Sequence, residues 1–452
     1  MTAPAPARGR GGRLLLLLAL AACDSVTGAR PPEVVSAELA GSGPLARTLT
    51  VELARPDPLV VDYWTEGAPR LRVRSPRAVK HTLPLARLRA GRTYTWRIAG
   101  SDREGTFGTA PLPADLAQVR LAATGTPTTP LVLLHLYRAD GFRGYVVVDG
   151  AGEVVWYWRG QGVPYGMTRR RNGNFVFLDQ LRGLVEVTPA GTVVRELAQD
   201  VAGRGEMHHD VIATPSNTLL VIAFDRRTAD GAPLLGDAVW EWSPEAGTVV
   251  KRWSAWDHFS PQRDRGPRFD REWLHANALA LGPRQNVLLS IHYWNQVISI
   301  SPGWGPVEWR LGGVNATIPL APGEQFTGQH TAREIAPGRV VLFDNRHEQG
   351  GSSRAVEFDL FGGVARRVWE WRPPRANFAS VVSSARRLPG GNTLVGFGTS
   401  AGLAGGSGPI EVYEVTPAGE PVWHLGVDGP LVMYRAEPLS TLAGEEVVEG
   451  PP

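Results

Sequence analysis

Three histidines and an asparagine stand at comparable places along a repeating chain. They are His209 in "HHD", His275 and Asn277 in "WLHAN", and His330 in "FTGQH". A neutral imidazole nitrogen is a competent nucleophile near neutral pH, and its N–H form donates hydrogen bonds or a proton. Polar residues at one place of successive repeats are hard to explain by packing alone, so a catalytic set competes with hydrogen-bonded structural histidines as their explanation. The histidines lie on different repeats, without the i, i+2 or i+4 ligand pair that usually fixes zinc, so no metal is expected. No cofactor is expected either.

The elements that must position these residues are short strands. A strand, a tight turn and a strand recur six times: "YVVVDGAGEVVWYW" (145–158), "LVEVTPAGTVVREL" (184–197), "VWEWSPEAGTVVKRW" (239–253), "VISISPGWGPVEWRL" (297–311), "AVEFDLFGGVARRVWEW" (355–371) and "IEVYEVTPAGEPVWHL" (410–425). A second strand–turn–strand element lies between the copies, as in "VIATPSNTLLVIAF" (211–224) and "REIAPGRVVLFDN" (333–345). The spacing fits one four-stranded blade per repeat and predicts a six-bladed β-propeller over 113–445. The first blade lacks a clear copy of the second element, and "LVLLHL" (131–136) stands in for it. The tail after Leu425 either closes the ring or trails off.

Leu219, Val287 and Val340 each open an apolar strand, and His209, Asn277 and His330 lie ten residues upstream of them. Strand parity puts His275 on the same channel-facing side as Asn277. By the same parity His208 points into its blade, and Asp210 faces away from His209.

Before the repeats, residues 32–112 alternate with period two in "TLTVEL" (48–53), "LVVDYW" (59–64) and "TYTWRIAG" (93–100). With its Tyr and Trp, this stretch resembles a fibronectin type III β-sandwich. The fold class is therefore all-β, a sandwich followed by a propeller. Residues 1–22 read as a lipoprotein signal peptide: arginines at 8, 10 and 13, an apolar "LLLLLALAA", then "LAAC" ending at Cys23. Cys23 is the lone cysteine, expected to be lipidated and followed by a linker to residue 31. The expected location is the cell envelope, on a bacterial membrane facing the periplasm. With a net charge of +3 and scattered basic residues, no nucleic-acid partner is expected. Oligomeric state is not legible.

"HHD", "WLHAN", "FTGQH" with "LFDN" (342–345), and "SSARRLPGGNTL" (383–394) together resemble the bacterial PAPS-independent arylsulfotransferases. The resemblance implies sulfuryl transfer from a phenolic sulfate ester to a phenol through a sulfohistidine, with small-molecule aryl sulfate and phenol as partners. It implies that His330 is the nucleophile, that His275 and Asn277 contact the sulfate, and that His209 is a further active-site histidine. It also implies an arginine at the end of the strand after "HAN". His292 stands there in "LLSIHYWNQ". Arginine is always charged and offers a rigid fork, whereas histidine is cationic only with a raised pKa. A second reading follows: a membrane-anchored binding propeller that has lost the arginine and with it catalysis. Arg169 has the parity to reach the channel in compensation.

Overall fold

The computed structural model describes residues 31–43, 45–199, 205–399 and 405–448. The leader and Cys23 lie outside them. Apart from a one-turn helix at Ala114–Ala117 and a 3₁₀ turn at Ala255–Asp257, every regular element among the described residues is a strand.

The first domain is built on two long strands, Ala46–Trp64 and Arg70–Leu85. Alternation in the first of them buries Leu49, Val51, Leu53, Leu59, Val61 and Tyr63, as a period-two strand over one core requires. Its pairing is irregular between Glu52 and Leu59. The half before that break pairs with Val34–Gly43, and the half after it with Thr93–Ile98.

The repeats form six antiparallel sheets. Blade 2 covers 164–197, blade 3 207–254, blade 4 276–311 and blade 5 330–371. Blade 6 runs from 384 to 428 and gains an outer fifth strand, Arg120–Gly125, from before the ring. Blade 1 joins Leu131–Tyr137, Arg143–Asp149 and Val154–Arg159 to an innermost strand from the far end of the chain, Val432–Leu439. The tail thus closes the ring. "LVLLHL" supplies only the second strand of the element it stood in for. After closure the chain returns to the first domain, where Glu446–Val448 pairs with Arg70–Arg72.

Each innermost strand contacts the next around a closed circle. Tryptophans from the repeated second strands, in "VVW", "VWEW" and "PVW", tie blade to blade. Trp156 Nε1 donates to the Pro189 carbonyl of blade 2, Trp371 Nε1 to Gly419 of blade 6, and Trp423 Nε1 to Gly150 of blade 1. Each ring buries a large apolar area while its N–H finds a partner on the neighbouring turn.

Candidate active site

All six innermost strands run from one end of the central channel to the other, and five of them bulge near the start. The pairing shifts between Pro164 and Met167, His208 and Val211, Ala276 and Ala278, His330 and Arg333, and Met433 and Ala436. A bulge inserts a residue and re-aims side chains. In or beside three of these bulges, His209, His275 and Thr331 take left-handed backbone angles, φ 59°, 55° and 52°. Such angles are uncommon outside glycine and cluster at functional sites.

The histidines converge here. Ring centroids lie 4.8 Å apart for His209 and His275, 5.3 Å for His275 and His292, and 5.4 Å for His292 and His330. Four imidazoles from three blades thus form one continuous string. His208 stacks on Phe224 inside its blade, as parity predicts. Asp210 does not stay there. Its carboxylate reaches the axis, where it accepts from Leu279 N at 2.8 Å and from Arg435 Nη1 at 2.7 Å. The bulge between His208 and Val211 is why the parity count fails for it.

His330 is buried, and its hydrogen bonds fix its tautomer. Nδ1 lies 3.0 Å from the Gly328 carbonyl and 2.8 Å from Asn345 Oδ1, two acceptors. Asn345 Nδ2 in turn donates to the Ala379 and Val382 carbonyls, which orients the amide. Nδ1 therefore carries the proton, and the Nε2 lone pair faces the Val382 N–H at 3.2 Å, the long end of the hydrogen-bond range. Burial is the main reason that the His330 pKa falls to about 3, with Arg435 and His275 adding to it. His209 is also pushed well down, by burial and then by neighbouring His275, His208, His330 and Arg435. Both rings are neutral at pH 7.

His275 differs from them. Its Nδ1 hydrogen-bonds Glu272 Oε2. Although burial works against it, that bond holds the Glu272 pKa below the usual range. The carboxylate on Nδ1 fixes the orientation of the His275 ring.

His292 does stand at the strand end, buried, but a cation comes to it. Arg268 Nη1 donates to His292 Nε2 at 3.1 Å, and its Nη2 meets His347 Nδ1. A guanidinium only donates, so His292 is neutral with its proton on Nδ1. That Nδ1 is buried and has no partner. The cation that the strand end lacks is thus supplied by the loop before "WLHAN".

Asn277 is fully buried. Its Nδ2 donates to the Gln329 carbonyl at 2.8 Å, so it holds the residue before His330. Arg169 does not reach the histidines. Its guanidinium donates to the carbonyls of Thr441 and Leu442 at 2.7 Å, at the other end of the channel.

Arg435 blocks the axis between the two ends. It rides the closing strand of blade 1, yet it bonds Asp210 of blade 3 and, at 2.8 Å, the Asn277 carbonyl of blade 4. Blades 1 and 4 face each other across the ring, so the guanidinium spans it. Arg435 and Asp210 are each 1% exposed.

A model of the family described as arylsulfotransferase (ASST) matches residues 119–422, which hold every histidine of the string. The chain belongs to the arylsulfotransferase family. None of the curated proteins matches it. Among solved structures, it is similar to a Bacteroides caccae protein of unknown function (14% identity, TM-score 0.46, 68% of this chain and 98% of that one). It is also similar to a catalytically inactive variant of virginiamycin B lyase from Staphylococcus aureus (9%, 0.38, 68% and 99%). A third is a Lactobacillus plantarum protein (12%, 0.41, 85% and 99%).

Within this arylsulfotransferase-family chain, sequence reasoning missed Arg268, Arg435, Glu272 and Tyr165. Arg268 sits in the arginine-rich loop "RDRGPRFDREW" (263–273), which reads as solvated charge. Glu272 lies three residues before His275, a spacing that could have flagged the pair. Tyr165 stacks on His209 with centroids 5.2 Å apart, from a strand with no motif of its own.

Proposed function

We propose that this protein transfers a sulfuryl group from a phenolic sulfate ester to a phenol, without PAPS, through a sulfohistidine on His330. The observation that carries this reading is the buried, neutral His330, whose Nδ1 proton is held by Asn345 and Gly328 and whose Nε2 lone pair accepts a long bond from the Val382 N–H that an arriving sulfur would displace. Nε2 attacks sulfur, the bond from sulfur to the aryl oxygen breaks, and the electron pair leaves on that oxygen. His275, supported by Glu272, gives the leaving oxygen a proton. The imidazole ring on which the sulfuryl group then sits keeps its Nδ1 proton on two carbonyl-type oxygens, which stabilises the positive charge it gains. In the second half, a phenol loses its proton to His275 while its oxygen takes the group from Nε2.

Sulfuryl transfer resembles phosphoryl transfer: charge gathers on the equatorial oxygens, and the protein must place donors around them. The unpartnered Nδ1–H of His292, whose ring packs against His330, and Arg268, bonded to the other nitrogen of His292, are such donors. In this reading Arg268 does the work expected of the strand-end arginine, and His292 contributes a neutral N–H. His209 is the further donor.

The test is transfer from p-nitrophenyl sulfate to phenol without PAPS or added metal. Nitrophenol release that depends on phenol, with ping-pong kinetics, is expected. A sequential pattern needing both substrates bound together would sink the sulfohistidine. The same proposal keeps the lipid anchor on Cys23 and the periplasmic location. Wild type should fractionate with membranes and Cys23→Ser should not; equal partition would reject the anchor.

A further inference from the structure

The opposite mouth of the channel is a second polar centre that the transfer reaction does not use. The six innermost strands end around a cavity of about 330 Å³ lined by Arg169, Arg333, Arg386 and Glu437, with Ile212 and Leu281 between them. Three guanidiniums face one carboxylate. Arg386 is paired with Glu437. Arg169 is neutralised by no ion pair among the described residues; its nitrogens bond the carbonyls of Gly173, Thr441 and Leu442. Glu445 lies near enough to favour its charge, but the Glu445 oxygens accept from Leu442 N and Ala443 N. Arg333 stands apart. Its Nε is buried with no hydrogen-bond partner.

A buried donor left without an acceptor is costly, and more so when it carries charge. Guanidiniums crowded together repel as well. A cavity that keeps an unsatisfied arginine beside two others is arranged for an acceptor that arrives from outside. The planar fork of arginine matches the oxygens of tetrahedral oxyanions. We infer that this mouth binds a small inorganic oxyanion of the sulfate or phosphate class, held by Arg333 with Arg386 and balanced by Glu437.

The site is separate from the histidine string, because Arg435 and Asp210 fill the axis between them. It lies on the side where the first domain meets the ring. There Arg89 of that domain pairs with Asp149 of blade 1 at 2.7 Å, and the segment that holds Arg169 leads into the strand Glu446–Val448. A bound oxyanion would therefore tie the closing strand to its neighbours next to the domain junction.

The experiment is calorimetric titration of the whole protein with sodium sulfate, and separately with sodium phosphate, in sodium chloride of constant ionic strength. Wild type and His330→Ala should bind with the same affinity, which sets this site apart from the histidines. Arg333→Met should weaken binding at least tenfold, whereas Arg333→Lys, which keeps the charge, should retain most of it. The stronger of the two salts names the preferred anion. Absence of binding in wild type, equal binding in Arg333→Met, or loss in His330→Ala would each overturn the inference. Because the Arg333 Nε has no partner to strand, Arg333→Met should fold. An unchanged melting temperature in sulfate-free buffer checks that.

Discussion

The two ends of the channel are made by the same six strands, yet their chemistry is opposite. At the bulged end the polar side chains are mostly neutral rings. His209, His292 and His330 lose their charge to burial and to one another, and Arg268 stands among them as a cation bonded to histidines. At the other mouth the innermost strands pair regularly except for one shift between Glu334 and Ala336, and the charged side chains are arginines and a glutamate. A nucleophile needs a free lone pair, and a low-dielectric pocket with positive neighbours supplies one by making protonation costly. Holding an anion needs the reverse, a charge that cannot be titrated away. Bulges make the difference. They turn side chains inward at the histidine end in an order that regular strands do not produce.

The comparison can be broken most sharply at His330. His330→Ala should lower phenol-dependent transfer by about 10⁴-fold or more while the protein stays folded. Retained activity would move the nucleophile elsewhere in the string. Next is the partition between the ends. Arg435→Met leaves Asp210 buried without its partner, which costs about 3–5 kcal/mol. Denaturant unfolding should show that loss, and adding Asp210→Asn should recover part of it. Arg268→Met should reduce kcat by about 10²–10³-fold, the size expected for one donor at developing charge, with little change in melting temperature. A purely structural role would show the opposite split.

Acid titration is a gentler probe. Burial lowers His330 to about 3 and His135 to about 4, whereas in the unfolded chain both titrate near about 6.5. Below that value the unfolded chain takes up protons that the fold refuses. Their contribution to stability is therefore complete above pH ~6.5 and is lost as pH falls toward 3–4. Unfolding free energies measured along that range should decline less steeply in His330→Ala. An equal slope would mean that the ring is not held neutral. The smallest effect belongs to the far mouth, where Arg333→Met should leave transfer within about twofold of wild type.

Much of the ring was legible, because a blade repeats its turn and its tryptophan and each recurrence can be counted. His209, His275 and His330 were also legible as types at recurring places, and His292 only through the family resemblance. Two things were not. Parity reads a strand as regular, so it placed His208 correctly but misplaced Asp210, which follows a left-handed residue. Counting along one segment also cannot show what arrives from another. Arg268 comes from a loop of ordinary composition, and Arg435 from a strand beyond the last repeat. The irregular pairing of Ala46–Trp64 was invisible for a related reason: alternation resumes on either side of the break.

The closing strand has a consequence in time. Val432–Leu439 pairs with Leu131–Tyr137, about 300 positions earlier in the sequence, so the pairing that shuts the circle joins the most distant parts of the ring, a slow kind of contact to form. A growing chain holds its histidines long before it holds Arg435. Until that strand is made, Asp210 is an unanswered charge and the axis stands open. The pocket is completed late, by a segment that contains no histidine, and a chain cut between His330 and Val432 would have every ring of the string but no finished pocket.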